Sequence, residues 1–255
     1  MYDMPEEIDV RADGPLRIIT LNRPAALNAV NESLHTALAR LWPRVSDDPE
    51  ARVAVLTGSG SAFSAGGDFD YLAQLRDDRA LRTRTIAHGR DLVLGLVRCR
   101  VPVVTAVNGP AVGLGCSLVA LSDIVYLAET AYLADPHVQV GLVAADGGPL
   151  TWPLHTSLLV AKEYALTGAR IPAEQAVRLG LANHVVADPL AEALGCAKRL
   201  AGLPQQAVES TKRLMNLHLE RSVLATLDFA TTAEDLSFQT QDFATIIARL
   251  TAPKP

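Results

Sequence analysis

The chain has only three cysteines, and Cys99, Cys116 and Cys196 stand far apart. An odd, scattered set builds neither a disulfide framework nor the paired spacing of a zinc site. A basic excess is also missing, since the formal net charge is -5. No positive field exists to draw in nucleic acid or an anionic membrane, so an anionic ligand must be held by local groups. The opening run Met1-Tyr2-Asp3-Met4-Pro5-Glu6-Glu7 is acidic and lacks the basic and apolar regions of a signal peptide. The apolar stretch from Val101 to Ala134 is broken by Pro102, Gly109, Pro110, Asp123 and Glu129 before the roughly 20 residues of a membrane span can accumulate. These absences predict a cytoplasmic protein in a reducing compartment, with neither nucleic acid nor membrane as partner.

What is present is a globular composition, 49% hydrophobic and 20% charged over 255 residues, enough for one large core and a smaller appendage. Ile8 to Asn22 reads as two short strands around the turn Ala12-Asp13-Gly14-Pro15. Asn31 reads as the N-cap of an amphipathic helix through Leu34, Leu38 and Leu41 that ends near Pro43. Val53–Thr57 and Val101–Val107 read as strands, each running into a glycine-rich loop, and Ile124–Ala128 as another. Residues 75–98 carry Leu81, Ile86, Leu92, Leu96 and Val97 at helical spacing and predict one helix with a charged outer face. A further helix is expected from Gly113 to Leu121, beginning inside the second loop. This recurrence of strand, glycine loop and helix predicts an α/β core of repeated ββα-like units. From about Ala191 strand signals stop, and helical runs over 191–203, 204–219, 223–235 and 239–250 predict a C-terminal helical subdomain.

The two glycine-rich segments are Phe63-Ser64-Ala65-Gly66-Gly67-Asp68 and Asn108-Gly109-Pro110-Ala111-Val112-Gly113-Leu114-Gly115. Each follows an apolar strand and frees backbone N–H groups, and two such donors aimed at one carbonyl oxygen form an oxyanion hole. Leu114 falls in the first turn of a predicted helix, where N–H groups have no intrahelical partner. Gly67 has no Cβ, so a ligand can approach its backbone closely. Two rival motifs are weaker. Ala62-Phe63-Ser64-Ala65-Gly66 resembles a hydrolase nucleophile elbow, but Gly58-Ser59-Gly60-Ser61 separates the strand from Ser64. Gly113-Leu114-Gly115 could open a dinucleotide fingerprint, but Leu118 stands where its third glycine belongs.

Order and spacing together resemble one superfamily, the crotonases, also called the enoyl-CoA hydratase/isomerase family. Ile19-Thr20-Leu21-Asn22-Arg23-Pro24 with Leu27-Asn28-Ala29 is similar to its opening strand and CoA loop. The two glycine segments are similar to its oxyanion motifs, and Thr167-Gly168, Ala173-Glu174-Gln175-Ala176 and Leu179-Gly180-Leu181-Ala182 to the stretch leading into its helical tail. The resemblance implies a β-spiral of ββα units over residues 1–190 and a helical trimerisation subdomain over 191–255, assembling as a homotrimer or homohexamer. It implies an acyl-CoA thioester as substrate, with coenzyme A part of that substrate and no separate cofactor or metal. It assigns the donors to Gly67 and Leu114, and contacts with the CoA arm to Ala25, Ala65, Asp68 and Phe69.

The family's hydratases use two glutamates, and at those positions this chain reads Ser117 and His137. Neither is a carboxylate, which removes the ordinary machinery for adding water. Asp146, just before Gly147-Gly148, is a candidate acid–base residue, or else a turn or N-cap residue. His137 is either a titrating group near neutral pH or a satisfied loop histidine. Ser117 is a water-orienting hydroxyl or a small packing residue. Enoyl-CoA hydratase/isomerase is therefore the best functional label, with double-bond isomerisation, another acyl-CoA lyase or hydrolase reaction, or non-catalytic acyl-CoA binding as alternatives.

Overall fold

The computed structural model describes residues 2–252. Met1 and residues 253–255, at the two ends of the expected domains, lie outside them. Strands β1 (Ile8–Asp13) and β2 (Leu16–Leu21) form the expected hairpin, with Ile8 opposite Leu21 and Asp13 opposite Leu16. Asn31 does cap α1 (Glu32–Asp47), its side chain accepting from Leu34 N at 3.0 Å. The helix does not stop at Pro43 but runs on past it, because Leu41, Trp42 and Val45 are fully buried and their packing outweighs the one missing N–H.

After β3 (Val53–Gly58) the expected single helix is two, α2 (Phe69–Asp77) and α3 (Arg79–Arg98). Asp78 makes the break, capping α3 by accepting from Leu81 N at 3.0 Å. Next come β4 (Val103–Val107), the short β5 (Ala111–Val112), α4 (Leu114–Ala120), β6 (Ile124–Ala128) and β7 (Tyr132–Ala134). A 3-10 turn over His137–Val140 leads to α5 (Gly148–His155) and α6 (Leu158–Thr167), then β8 (Ile171–Pro172), α7 (Ala173–Arg178) and β9 (His184–Val186). The tail holds α8 (Pro189–Ala201), α9 (Gln205–Ser237) and α10 (Gln241–Thr251). The two runs expected over 204–219 and 223–235 are thus one helix of 33 residues.

The main sheet has the order β1-β2-β3-β4-β6-β9, parallel apart from the β1–β2 hairpin, and a second sheet joins β5, β7 and β8. The architecture is a mixed α/β fold with a helical C-terminal part, as expected. Val53, Val55, Val104 and Ala106 on one sheet face pack against Ala193, Cys196 and Ala197 of α8. The N-terminal half of α9 is clamped by Lys212 Nζ, which meets Asp123 Oδ2 and Val101 O at 2.7 Å each, and by Asn216, which donates to Val97 O at 2.8 Å. These buried polar contacts fix the helix at the end of the sheet. Among the described residues no helix is long and apolar enough to cross a membrane.

Candidate functional site

The two glycine loops meet at the end of the parallel strands. In the first, Val30 N donates to Gly66 O at 2.7 Å and Asp68 N donates to Val30 O at 3.1 Å. Peptide groups alternate in direction along such a segment, so the N–H of Gly67 faces away from this pairing. In the second, Gly113 N donates to Ala134 O at 2.9 Å, and Leu114 then opens α4 with an N–H that no intrahelical carbonyl can reach. Glycine is needed at the join: Gly66 has φ +89° and Gly113 φ +52°, and a Cβ on Gly113 would stand 3.5 Å from Gly66 Cα. The two loops therefore touch. Ser64 is not an exposed nucleophile, because it is buried and its Oγ donates to Asn28 O at 2.8 Å.

A cavity of about 160 Å³ opens beside both loops and is lined by Gly66, Gly67, Gly113 and Leu114. Val30, Leu72, Leu75, Ile86, Leu142 and Phe238 make most of it apolar. Ala65 and Phe69 also line it, whereas Asp68 caps α2 and pairs with Arg23 at 3.1 Å, and Ala25 is exposed on the short 3-10 turn Pro24–Ala26. The far part holds Tyr71, whose hydroxyl shares a 2.5 Å hydrogen bond with Thr85, and His35, whose buried Nδ1 has no partner. Burial holds the His35 imidazole down to about 4, so it is neutral.

Besides Tyr71 and the neutral His35, the cavity is lined by His137, Asp146 and Glu234. Asp146 does not cap a helix; Gly147 occupies the cap of α5, and Asp146 Oδ1 instead accepts from Ser117 Oγ at 2.8 Å. Ser117 is itself buried, does not line the cavity, and also lies 3.2 Å from Gly113 O. His137 Nδ1 pairs with the buried Asp135, whose second oxygen has no partner. Burial lowers the affinity of His137 for its proton, but Asp135 and, more weakly, Asp146 and Glu234 overcome this and raise it to about 10. His137 is therefore a held imidazolium rather than a group titrating near neutral pH. Burial raises the Asp146 carboxyl, against the opposing pull of His137. Burial and then the charge of Asp146 raise Glu234 to about 8.

Sequence reasoning names Asp146, His137 and Ser117, and the structure gathers all three. It misses Glu234, His35 and Asp135. For Glu234 the available signal is the spacing of Thr231 and Glu234 on one face of α9, with Phe238 just past its end, all three lining the cavity.

The spiral of parallel strands, paired glycine loops and helical tail defines a protein of the crotonase class. More narrowly, the chain belongs to the enoyl-CoA hydratase/isomerase family, whose model matches residues 12–247. It is 31% identical over 239 residues to a probable enoyl-CoA hydratase of Mycobacterium bovis, covering 93% of this chain and 91% of that one. It is 36% identical over 208 residues to a carnitinyl-CoA dehydratase of Salmonella agona, covering 81% and 76%. A crystal structure of an enoyl-CoA hydratase/isomerase from Mycobacterium paratuberculosis superposes with a TM-score of 0.97 at 72% identity, covering 97% of this chain and 100% of the other.

Proposed function

We propose that this protein is an enzyme that binds an acyl-CoA thioester and stabilises the enolate formed when a proton leaves the carbon beside the carbonyl. The observation that carries this reading is the pair of N–H groups of Gly67 and Leu114 at the edge of an apolar cavity that also receives Asp146. Donors already oriented toward a developing oxyanion act without reorganisation, and losing one typically costs about 10²–10³ in kcat. Ala65 and Phe69, with Ala25 and Asp68 outside, form the approach for the CoA arm. Coenzyme A enters as part of the substrate, and no separate cofactor or metal has a part in the reaction. Asp146 moves the proton: the raised affinity of its carboxyl suits a group that must both take and return one. Ser117 holds Asp146, and His137 supplies fixed positive charge nearby.

Shifting a double bond within an enoyl-CoA needs these parts and a proton delivered to the second carbon. A proton leaves one carbon, the enolate is held, and a proton arrives at another carbon. Water addition is the second reading, favoured by the names of the hydratase and dehydratase relatives, although Ser117 and His137 stand where the family's hydratases carry glutamates. A panel of saturated, 2-enoyl and 3-enoyl thioesters incubated in D2O and followed by mass spectrometry tests both. The expected result is deuterium at the α-carbon with interconversion of the 3-enoyl and 2-enoyl forms. Fast hydration of crotonyl-CoA selects the second reading, and no exchange or turnover with any thioester leaves a non-catalytic acyl-CoA binder.

We assign self-association as a homotrimer or homohexamer to the tail helices and α6. Leu159 is 82% exposed, Leu166 71% and Phe229 78%, more apolar side chain than a lone chain commonly leaves in water. A cytoplasmic location is supported by three cysteines that are all buried and unpaired.

A further inference from the structure

We propose that Glu234, on the tail helix, is the second acid–base residue of this cavity, working with Asp146 on a single shared proton; the inference rests on the enolate reading above. Thr231 and Glu234 bring one face of α9 to the cavity wall, and Phe238 follows at its end. The helix is fixed on either side of that carboxyl's reach. The adjacent Asp235 pairs with Arg82 of α3 at 2.9 Å, and Ser237, one turn on, accepts from Val143 N at 3.3 Å, in the loop that leads to Asp146. Two walls of the cavity therefore hold Glu234 in place.

Its carboxyl forms no hydrogen bond or ion pair among the described residues, although its neighbour Asp235 does. A carboxyl facing apolar surface without a partner gains nothing by ionising, and its charged form costs solvation. Asp146, Asp135 and Glu234 together place three carboxyls around one imidazolium, so His137 balances only one charge. Two carboxyls that cannot both ionise easily keep one proton between them. This leaves one base and one acid facing the same substrate.

The step balances without an oxidant or reductant. Asp146, beside the loop that carries Leu114, takes a proton from C2 of a 3-enoyl thioester, and the C–H electron pair enters a dienolate held by the two N–H groups. Glu234 gives its proton to C4, forming the new C–H bond as the double bond moves to C2–C3. One C–H bond breaks, one forms, and the proton has passed from Glu234 to Asp146.

The test uses full-length Glu234→Gln and Glu234→Asp proteins in two assays, 3-enoyl to 2-enoyl conversion and α-deuterium exchange into a saturated acyl-CoA, with thermal unfolding as a check on folding. We expect Glu234→Gln to lose about 10²-fold or more in isomerisation and clearly less in exchange, since exchange uses Asp146 and the enolate without a proton delivered to C4. Glu234→Asp should recover part of the isomerisation. The pH profile of isomerisation should lose one limb in Glu234→Gln, against a background of the other titratable groups facing the cavity, Asp146, His137, Tyr71 and His35, with Asp135 and Asp235 behind them. Wild-type isomerisation in folded Glu234→Gln overturns the proposal, as does an equal loss in both assays, which makes Glu234 a support for the cavity wall. If Glu234→Gln does not fold, Glu234→Asp decides by the same comparison of the two rates. Wild-type protein that exchanges no α-deuterium instead refutes the enolate reading itself.

Discussion

One wall of the cavity is built from backbone and the other from side chains, and the two are secured in different ways. The donors of Gly67 and Leu114 sit on loops tied by main-chain hydrogen bonds to Val30 and Ala134, directly at the strand ends. Their positions depend on glycine at 66 and 113 and on sheet register, and a change of side chain elsewhere hardly moves them. The opposite wall draws His137 from a 3-10 turn, Asp146 from a loop and Glu234 from a helix some 90 residues later in the chain. Each depends on a specific partner: Asp135 for His137, Ser117 for Asp146, Arg82 and Val143 for the helix carrying Glu234. The difference teaches that, in the proposed reaction, carbonyl polarisation rests on backbone and sheet register, whereas proton movement rests on individual side-chain pairs.

Breaking the side-chain wall should have the largest effect. Asp146→Asn is expected to lower kcat by about 10²–10⁴ in the acyl-CoA assay, with folding retained by thermal unfolding. Leu114→Pro attacks the backbone wall; it removes one donor at a first-turn position that tolerates proline, and kcat should fall about 10²–10³. Nearly equal losses would mean that the two walls contribute alike. Ser117→Ala leaves both sets of reacting groups present and frees only Asp146, so a drop of about tenfold in kcat is expected, the scale of one hydrogen bond to a charged group.

Electrostatic changes sharpen the contrast further. Asp135→Asn should move the His137 titration, followed by NMR of the imidazole, well down from about 10, because burial is then opposed only by the weaker pull of Asp146 and Glu234. A histidine whose folded value is raised stabilises the fold fully below 6.5 and ceases to do so as pH rises through about 10. The melting temperature of Asp135→Asn should therefore fall below wild type at pH 6 and approach it above pH 10. The sign for Glu234 follows from a carboxyl raised from 4.5 to about 8, whose stability contribution is full below 4.5 and is lost as pH rises through about 8. Glu234→Gln should thus gain about 2–4 °C over wild type at pH 9 and nothing at pH 4.

The backbone wall was legible in the sequence because glycine-rich loops after apolar strands carry a local signature. The loops can be picked out from their neighbours alone, while the resemblance singles out Gly67 and Leu114 within them. Ser117 and His137 are legible only through the resemblance, which expects glutamates there, and Asp146 as the nearby acid before Gly147-Gly148; their pairing through Ser117 Oγ and Asp135 emerges only in three dimensions. Glu234 was hidden for a physical reason: on a long amphipathic helix one glutamate among many charged residues looks solvated, and nothing local marks the turn at which the helix faces the cavity. The same blindness split α9 into two helices and joined α2 to α3, since helical spacing does not report a cap such as Asp78 or the packing that carries a helix past Pro43.

Ser117 joins the two walls in one further way. Its hydroxyl has one proton but lies within reach of two acceptors, Asp146 at 2.8 Å and Gly113 O at 3.2 Å. While Asp146 is ionised, that proton belongs to it. Once Asp146 is protonated it becomes the donor, and the hydroxyl turns to Gly113 O. That carbonyl and the N–H of Leu114 belong to the same peptide unit, and a hydrogen bond to one end of an amide polarises the other. In the proposed reaction the enolate's hydrogen bond from Leu114 then strengthens at the moment Asp146 has taken the proton that created the enolate, and the peptide group relays the acid's own protonation state.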